Sequence, residues 1–286
     1  MSCDFVLKLS CDDRQGVINA VTGVLMEQGA NITDAHQFND SSTGRFFMRV
    51  CFSVDRDDAT ESEFAGSLQT LVDRFEADIS VHDQSHAKKV VIMVSHLDHC
   101  LGDLLYRMRI GEMAMDVVGI ISNHPMSKLK MSMVYDIPYH YLPITADTKP
   151  QQEAQVKQII TDSGAELVVL ARYMQILSDD MSRFLEGRCV NIHHSSLPGF
   201  KGAKPYHQAF DRGVKLIGAT AHLVTSDLDE GPIIEQDIEH ISHVDMPEEL
   251  VRKGRDIERR VLARAVRYLL QDRVFINGSK TVVFKD

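Results

Sequence analysis

The first third of the chain switches between strand-like and helix-like hydrophobic patterns. Four short runs are strand-like, of which the first alternates apolar and polar residues, and apolar residues recur at helical spacing in two longer runs. The predicted strands are 4–10, 31–38, 45–54 and 78–83, and the predicted helices are about 12–29 and 59–77. The order βαββαβ predicts a ferredoxin-like domain, in which two helices cover one face of a four-stranded antiparallel sheet.

The rest of the chain shows continuous apolar runs separated by helical patterns. Such runs are typical of strands buried on both faces. The predicted strands are 90–95, 116–122, 166–171 and 189–192, followed by one around His222. The predicted helices are 98–111, 126–135, 149–163, 178–186 and 246–271, and a hairpin with its turn at Asn277-Gly278 follows. This alternation predicts an α/β domain with a doubly wound, mostly parallel, Rossmann-like sheet.

Charge and polarity place a domain boundary near residue 85. At 286 residues the chain is long enough for two domains, each with its own core. Residues 1–84 hold 15 acidic against 6 basic side chains, so most of the net charge of −10 lies in the first third. Residues 83–89 form a polar, weakly patterned stretch that suits a linker. We therefore predict two domains, 1–84 and 85–286.

Composition argues against several classes of protein. The net negative charge argues against a basic surface that would bind nucleic acid. No apolar run approaches the ~18 residues needed to span a bilayer, and the N-terminal residues lack the pattern of a signal peptide. The five cysteines are scattered and include no C-x-x-C pair, which argues against a disulfide framework or a zinc knuckle. These features predict a cytoplasmic globular protein with reduced thiols and no nucleic-acid or membrane partner.

The segment NIHHSSLPGFKG, residues 191–202, carries candidate chemistry at the end of a predicted strand. Because side chains alternate across a strand, Asn191 and His193 share one face. An amide beside an imidazole can stabilise an oxyanion, although a polar strand end without a catalytic role gives the same pattern. His194 points to the opposite face if the strand continues, and is then structural.

A second polar segment can complete such a site. Residues 218–236 contain a predicted strand with His222, followed by a loop rich in carboxylates that includes Asp229. Two loops that follow strands of one sheet can meet at its carboxyl edge, which would bring a carboxylate against His193. Acidic loops are usually only solvated, and His222 is either a site residue or a buried polar residue.

The first loop of the second domain argues against the common nucleotide sites. The segment SHLDHCLGDLL has one glycine, Gly102, where a dinucleotide site or a P-loop needs several. His96, Asp98, His99 and Cys100 offer metal-ligand atoms, but near-adjacent residues on one turn seldom converge on one ion. We therefore predict pocket lining or ordinary surface here, and no metal.

The N-terminal domain resembles the ACT domains. Its segment DRQGVINAVTGVLMEQGANI has a glycine at the first strand-to-helix turn and Gly-Ala-Asn-Ile at the start of the second strand. The resemblance implies a regulatory module that pairs into a homo-oligomer and binds an amino acid, glycine or methionine, near Asp13, Gly16 and Asn31. A ferredoxin-like domain that only oligomerises is the alternative.

The second domain resembles the folate-dependent formyltransferase family over nearly all of residues 88–286. NIHHSSLPGFKG resembles its asparagine-x-histidine-x-serine-x-leucine-proline motif, VTSDLDEGPIIEQ its aspartate loop, and LARYMQIL the loop that encloses the folate pterin. The resemblance implies that Asn191, His193 and Asp229 are catalytic. Its implied substrate-binding residues are Arg172, Met174, Ile176, Leu177, His222 and Thr225.

An ACT-like domain in front of such a domain resembles the formyltetrahydrofolate deformylase family, and HCLGDLL and FKGAKPYHQAF resemble it in detail. This implies hydrolysis of 10-formyltetrahydrofolate to tetrahydrofolate and formate, with no cofactor beyond that substrate. The reaction supplies formate for purine synthesis and balances the one-carbon pool. Ser196 and Ser226 stand where an apolar residue and an acid are common, which affects the shape of the pocket.

Two alternatives stay open. The first is a formyl transferase with an amine acceptor. Glycinamide ribonucleotide transformylases carry a glycine- and asparagine-rich phosphate loop where this chain has SHLDHC, which favours water as the acceptor. A methionyl-tRNA formyltransferase would add a basic extension, and we expect none after the hairpin. The second alternative is a folate- or amino-acid-responsive regulator without turnover.

Overall fold

The computed structural model describes residues 4–130, 136–195 and 205–285, and the chain forms two compact units. The first unit runs to Ala87 and includes the segment from Gln271 onward, and the second unit is Lys88–Leu270. The break after Ala87 lies close to the boundary predicted from charge. The C-terminal segment groups with the first unit, whereas the sequence predicts it in the second domain.

The first unit has the predicted ferredoxin-like order. Its elements are β1 (Phe5–Asp12), α1 (Val17–Glu27), β2 (Ala30–Asp40), β3 (Arg45–Val54), α2 (Glu61–Phe75) and β4 (Asp78–Asp83). The strands form an antiparallel sheet in the order β2-β3-β1-β4. One face of this sheet packs on both helices, where buried side chains such as Leu25, Phe52 and Leu68 form the core.

The C-terminal segment lies on the other face of this sheet. Arg49 of β3 is 3% exposed and donates from Nε and Nη2 to the carbonyl of Gln271, at 3.1 and 3.0 Å. Lys8 Nζ donates to the carbonyl of Val274 at 2.8 Å. The two strands of the segment are β12 (Val274–Asn277) and β13 (Lys280–Val283). These long-range bonds hold the predicted hairpin in the first unit.

A seven-stranded sheet forms the centre of the second unit. Its strands are β5 (Lys88–Val94), β6 (Met115–Ser122), β7 (Tyr139–Tyr141), β8 (Leu167–Leu170), β9 (Cys189–His193), β10 (Leu216–Leu223) and β11 (Ile233–His240). They are ordered β11-β10-β9-β8-β5-β6-β7. The strands from β5 to β9 run parallel, whereas β10 is antiparallel to both neighbours. The mostly parallel sheet was predicted, and the reversed direction of β10 was not.

Helices cover this sheet. They are α3 (His99–Arg109), α4 (Lys149–Asp162), α5 (Asp179–Phe184), α6 (Pro205–Arg212) and α7 (Pro247–Leu270). Consecutive residues Val91, Ile92 and Met93 of β5 are at most 1% exposed, so both faces of the sheet are buried. α4 contributes Val156 and Ile160 to one core, and α7 contacts β9, β10 and β11.

Four local elements differ from the prediction. Residues 126–135 were predicted as a helix, but Met126–Lys128 form a single 3-10 turn, and residues 131–135 lie outside the described ranges. β7, α6 and β11 were not predicted. β7 and α6 are short, and a periodic pattern needs a longer window to be recognised.

Membrane-spanning helices and disulfides are both absent from the described ranges. No helix there is long and apolar enough to cross a membrane. The four cysteines in these ranges are buried and form no disulfide, and Cys3 lies outside them.

Candidate active site

The end of β9 places polar side chains on one face of the sheet. Asn191 and His193 alternate with buried apolar residues along the strand, as predicted. β10 pairs with β9 so that His222 lies directly opposite Asn191. Side chains at directly paired positions project from the same face, so His222 joins the two predicted residues.

Asp229 reaches this group by a route that differs from the predicted one. We expected its loop to leave the sheet at the edge where β9 ends. Because β10 is antiparallel, the loop starts at the other end of β9, where Val224 N donates to the carbonyl of Cys189. The loop then turns back against β10, and a Cβ on Gly231 would lie 1.8 Å from the carbonyl oxygen of Leu223. Only glycine permits this close approach.

The carboxylate of Asp229 lies between two imidazoles. Its Oδ2 is 3.2 Å from His193 Nδ1, and its Oδ1 is 3.6 Å from His222 Nε2. Burial raises the pKa of Asp229, but the hydrogen bond and charge of His193 lower it by more, so the pKa lies well below its ordinary value. Asp229 is therefore an anion near neutral pH and can only accept hydrogen bonds.

His193 keeps one ring nitrogen open to the site. Because a carboxylate only accepts, the Nδ1 that faces Asp229 carries a hydrogen. The Nε2 atom is buried and has no hydrogen-bond partner in the part of the chain that the structure describes. Buried polar atoms without a partner are rare, and this one marks a position where a ligand group can bind.

His222 sets the orientation of the Asn191 amide. Its Nδ1 donates to the carbonyl of Leu223 at 2.9 Å, so the neutral ring presents a bare Nε2. Asn191 Nδ2 lies 3.2 Å from that nitrogen and donates to it. The amide nitrogen therefore lies beside the histidines, and its second hydrogen can serve a ligand.

A cavity of about 580 Å³ opens onto these side chains, a size typical of small-molecule sites. Six residues predicted to bind substrate line it: Arg172, Met174, Ile176, Leu177, His222 and Thr225. Met174 and Ile176 are 47% and 62% exposed, so they form an apolar surface open to a ligand instead of joining the core. Ser226 also lines the cavity, whereas Ser196 lies outside the described residues.

The cavity has a second wall, formed by His99, His194, Tyr206 and Glu258. Pocket lining was one of the two predictions for His99, whereas sequence reasoning missed the other three. His194 was expected on the opposite face of a continuing strand. Instead β9 ends at His193, and the two rings stack with centroids 5.0 Å apart. The two consecutive histidines in the sequence could have indicated that His194 also belongs to the site. Glu258 stands in a charged helical run that is typical of a solvated face.

The possible metal ligands after β5 come together only in part. His99 and Cys100 bring ligand atoms within 4.8 Å of Glu258, whereas Asp98 accepts a backbone N–H at 2.6 Å. His99 already bonds Glu258, and Arg172 Nε lies 3.4 Å from the same carboxylate. Protein cations and donors thus occupy the carboxylate that a metal ion would need.

The predicted amino-acid site lies in the first unit. Asp13 and Gly16 are exposed on the turn from β1 to α1, and the φ of 89° at Gly16 favours glycine. Asn31 is exposed at the start of β2, the edge strand of the sheet. All three positions are accessible from solvent within this unit.

Two protein-family models match the chain, an ACT domain over residues 5–65 and a formyl transferase over residues 88–266. Among curated proteins, the formyltetrahydrofolate deformylase of Corynebacterium sp. strain P-1 is 47% identical, over 98% of this chain and 98% of its own. That of Bacillus subtilis is 42% identical, over 97% of this chain and 93% of its own.

Solved structures agree with these matches. A formyltetrahydrofolate deformylase from Burkholderia mallei is 50% identical with a TM-score of 0.93, over 99% of this chain and 100% of that one. Glycinamide ribonucleotide transformylase 1 from Symbiobacterium toebii is 28% identical with a TM-score of 0.66, over 71% of this chain and 97% of that one. The chain therefore belongs to the formyltetrahydrofolate deformylase family and combines an ACT domain with a formyl transferase domain.

Proposed function

We propose that the chain hydrolyses 10-formyltetrahydrofolate to tetrahydrofolate and formate. The observation that carries the proposal is the Nε2 of His193, which has no hydrogen-bond partner among the described residues and belongs to a side chain that lines, with Asn191, a cavity of suitable size. Two nitrogen donors at that point suit the oxyanion that forms when a nucleophile attacks a formyl carbon. Family membership over nearly the whole chain supports the same reaction.

The proposed reaction begins when water attacks the formyl carbon. A C–O bond forms, and the formyl oxygen becomes an oxyanion that accepts hydrogen bonds from Asn191 and protonated His193. Asp229 stabilises the imidazolium and positions the water or takes its proton. The bond from the formyl carbon to N10 then breaks, N10 takes up the proton that water lost, and the remaining proton passes to solvent as formate leaves as an anion.

We infer that the pterin ring binds along the loop at residues 171–177. Met174, Ile176 and Leu177 present apolar surface to the cavity, and Thr225 faces them from the loop after β10. Met174 N donates to Ser95 Oγ at 3.0 Å, which ties the loop to the end of β5. A flat ring that carries a few polar atoms suits an apolar slot of this kind.

The loop after β5 supports water as the acceptor. A phosphate-bearing amine would need a cradle of backbone N–H groups, usually in a glycine-rich loop. Here α3 begins at His99, whose side chain is bonded to the buried carboxylate of Glu258. A carboxylate at this position would repel a phosphate.

Formate release without an added acceptor tests the proposal. We expect the protein to release formate and tetrahydrofolate in equal amounts, and Asn191→Ala to be about 10² to 10⁴ slower with its fold intact. His240→Gln, at an exposed position of β11, should keep the wild-type rate. Release that requires an amine would favour the transferase, and no turnover in either assay would favour the regulator.

We also propose that the ACT domain binds glycine or methionine near Asp13, Gly16 and Asn31 and pairs into a homo-oligomer. The family model and the exposure of these three positions support the proposal. Calorimetry on active protein should give heat of binding with one of the two amino acids. Absence of heat with both would contradict an amino-acid effector of this kind.

We place the enzyme in the cytoplasm. The four buried cysteines without disulfides fit a reducing compartment. Fractionation of cells that produce the protein should recover formate-releasing activity in the cytoplasmic fraction, and recovery outside the cell would contradict this assignment.

A further inference from the structure

A buried ionic cluster forms the second wall of the cavity. At its centre, Glu258 on α7 is 1% exposed. His99 Nε2 and the Tyr206 hydroxyl each lie 2.7 Å from its carboxylate, and Arg172 Nε lies 3.4 Å away. Tyr206 packs directly against Gly254. Any larger residue there would place its Cβ 2.1 Å from the tyrosine ring, so glycine makes room for Tyr206. Burial raises the pKa of Glu258, but the bond from His99 and the charge of Arg172 lower it by more, so the carboxylate is charged.

Arg172 has an unusual backbone conformation. Its φ is 66°, in the left-handed region that residues with a side chain rarely adopt. The residue is 7% exposed, and its carbonyl accepts from Ser95 N at 3.2 Å. Such strain persists where the surrounding contacts require it, and it concentrates at functional sites. Within the described ranges the guanidinium of Arg172 contacts Glu258 and His194.

The contact with Arg172 determines the state of His194. A guanidinium carries only donors and keeps its proton in proteins. His194 Nδ1, which faces Arg172 Nη1, must therefore be a bare acceptor, and the ring is neutral. This neutral ring stacks on His193 with planes 24° apart. A second imidazolium in its place would repel the charge that His193 carries in the proposed reaction.

We propose that Glu258, Arg172 and His194 form a positioning chain for His193. The bond to Asp229 holds Nδ1 but lets the imidazole tilt, and the stacked ring of His194 fixes its plane. Together these contacts keep Nε2 aimed at the formyl oxygen. The role rests on the proposed hydrolysis, and none of the three residues needs to touch the reacting atoms.

Two isosteric or near-isosteric substitutions test the chain. His194→Gln keeps an acceptor for Arg172 but removes the ring, and Glu258→Gln keeps the carboxyl volume but removes its charge. We expect each to lower kcat about 10- to 100-fold, with KM changed less than about threefold, because misplacement affects the chemical step most. The matched control is Glu153→Gln. Glu153 is also buried, at 6% exposure, but it accepts from Ser178 N at 2.9 Å, and its variant should keep the wild-type kcat.

Coupling to His193 separates positioning from a general structural role. Residual release of labelled formate is measured for His193→Ala with and without His194→Gln. If the chain acts through His193, the loss caused by His194→Gln disappears in the His193→Ala background. The proposal is overturned if the same fold-loss persists there, or if His194→Gln keeps the wild-type kcat. A wild-type protein that releases no formate would instead overturn the proposed function.

Discussion

Asn191 and His222 are hydrogen-bonded across the β9–β10 pair, with 3.2 Å between Nδ2 and Nε2. The carbonyl of Leu223 keeps a hydrogen on Nδ1 of His222, so the histidine accepts from the amide only while the ring is neutral. The orientation of the proposed oxyanion donor therefore depends on a histidine whose role the sequence left undecided.

Substitution of His222 should act through this bond. We expect His222→Leu to lower kcat about 10- to 100-fold, because the Asn191 amide loses its acceptor and can turn. His222→Gln should retain more activity, since a glutamine oxygen can accept from the same amide. Rates of formate release measure both variants, with His240→Gln as the control. Wild-type kcat in a folded His222→Leu protein would contradict the proposed orientation.

The close approach at Gly231 gives a second prediction. Gly231→Ala should lower formate release at least about 10²-fold, because a methyl group would overlap the Leu223 carbonyl and displace the loop that carries Asp229. Gly66→Ala on α2 is the control, since a Cβ there meets nothing within 4 Å. That variant should keep its activity, and its unfolding free energy should rise by up to about 1 kcal/mol because alanine has a higher helix propensity than glycine. Equal activity of the two variants would refute the loop geometry.

Asp229 should also contribute to the pH dependence of stability. Its pKa is lowered on folding, so its contribution is complete above the unfolded pKa of about 3.9 and is lost as the pH falls through the folded value. The difference in unfolding free energy between wild type and Asp229→Asn should therefore shrink below about pH 4. Thermal unfolding at a series of pH values measures it, and a difference that stays constant into strong acid would argue against the predicted linkage.

Arg49 should hold the C-terminal segment in the first unit. Arg49→Met leaves the Gln271 carbonyl without two donors in a buried place, and should cost about 2 to 4 kcal/mol of unfolding free energy. Arg45→Met on the same strand removes an exposed pair with Asp12 and should cost less than about 1 kcal/mol. Scanning calorimetry compares the two, and similar melting temperatures would show that the buried bonds contribute little.

Local patterns predicted much of the fold and part of the site. The apolar run before Asn191 predicted β9, and strand alternation placed Asn191 and His193 on one face, because both follow from backbone geometry within a few residues. Motif resemblance added Asp229, which the structure brings to 3.2 Å from His193. The predicted route of its loop was wrong, since strand direction depends on pairing with a distant partner.

Contacts between distant segments could not be predicted. Glu258 and His99 stand 159 positions apart, and no local pattern distinguishes a buried glutamate from its charged neighbours on α7. The left-handed backbone of Arg172 could not be predicted either, because arginine rarely adopts that conformation. Both features depend on the assembled tertiary structure.

The bond from Arg49 to Gln271 joins positions 222 residues apart, so the first unit is discontinuous along the chain. During translation the residues of its four-stranded sheet are synthesised first, and those of the whole second unit follow. The segment that covers the other face of the sheet is synthesised last. Until then, side chains such as Phe47, which packs edge-on against Phe275 in the finished protein, remain open to solvent. Nascent chains should therefore engage chaperones through this sheet until residues 271–285 emerge.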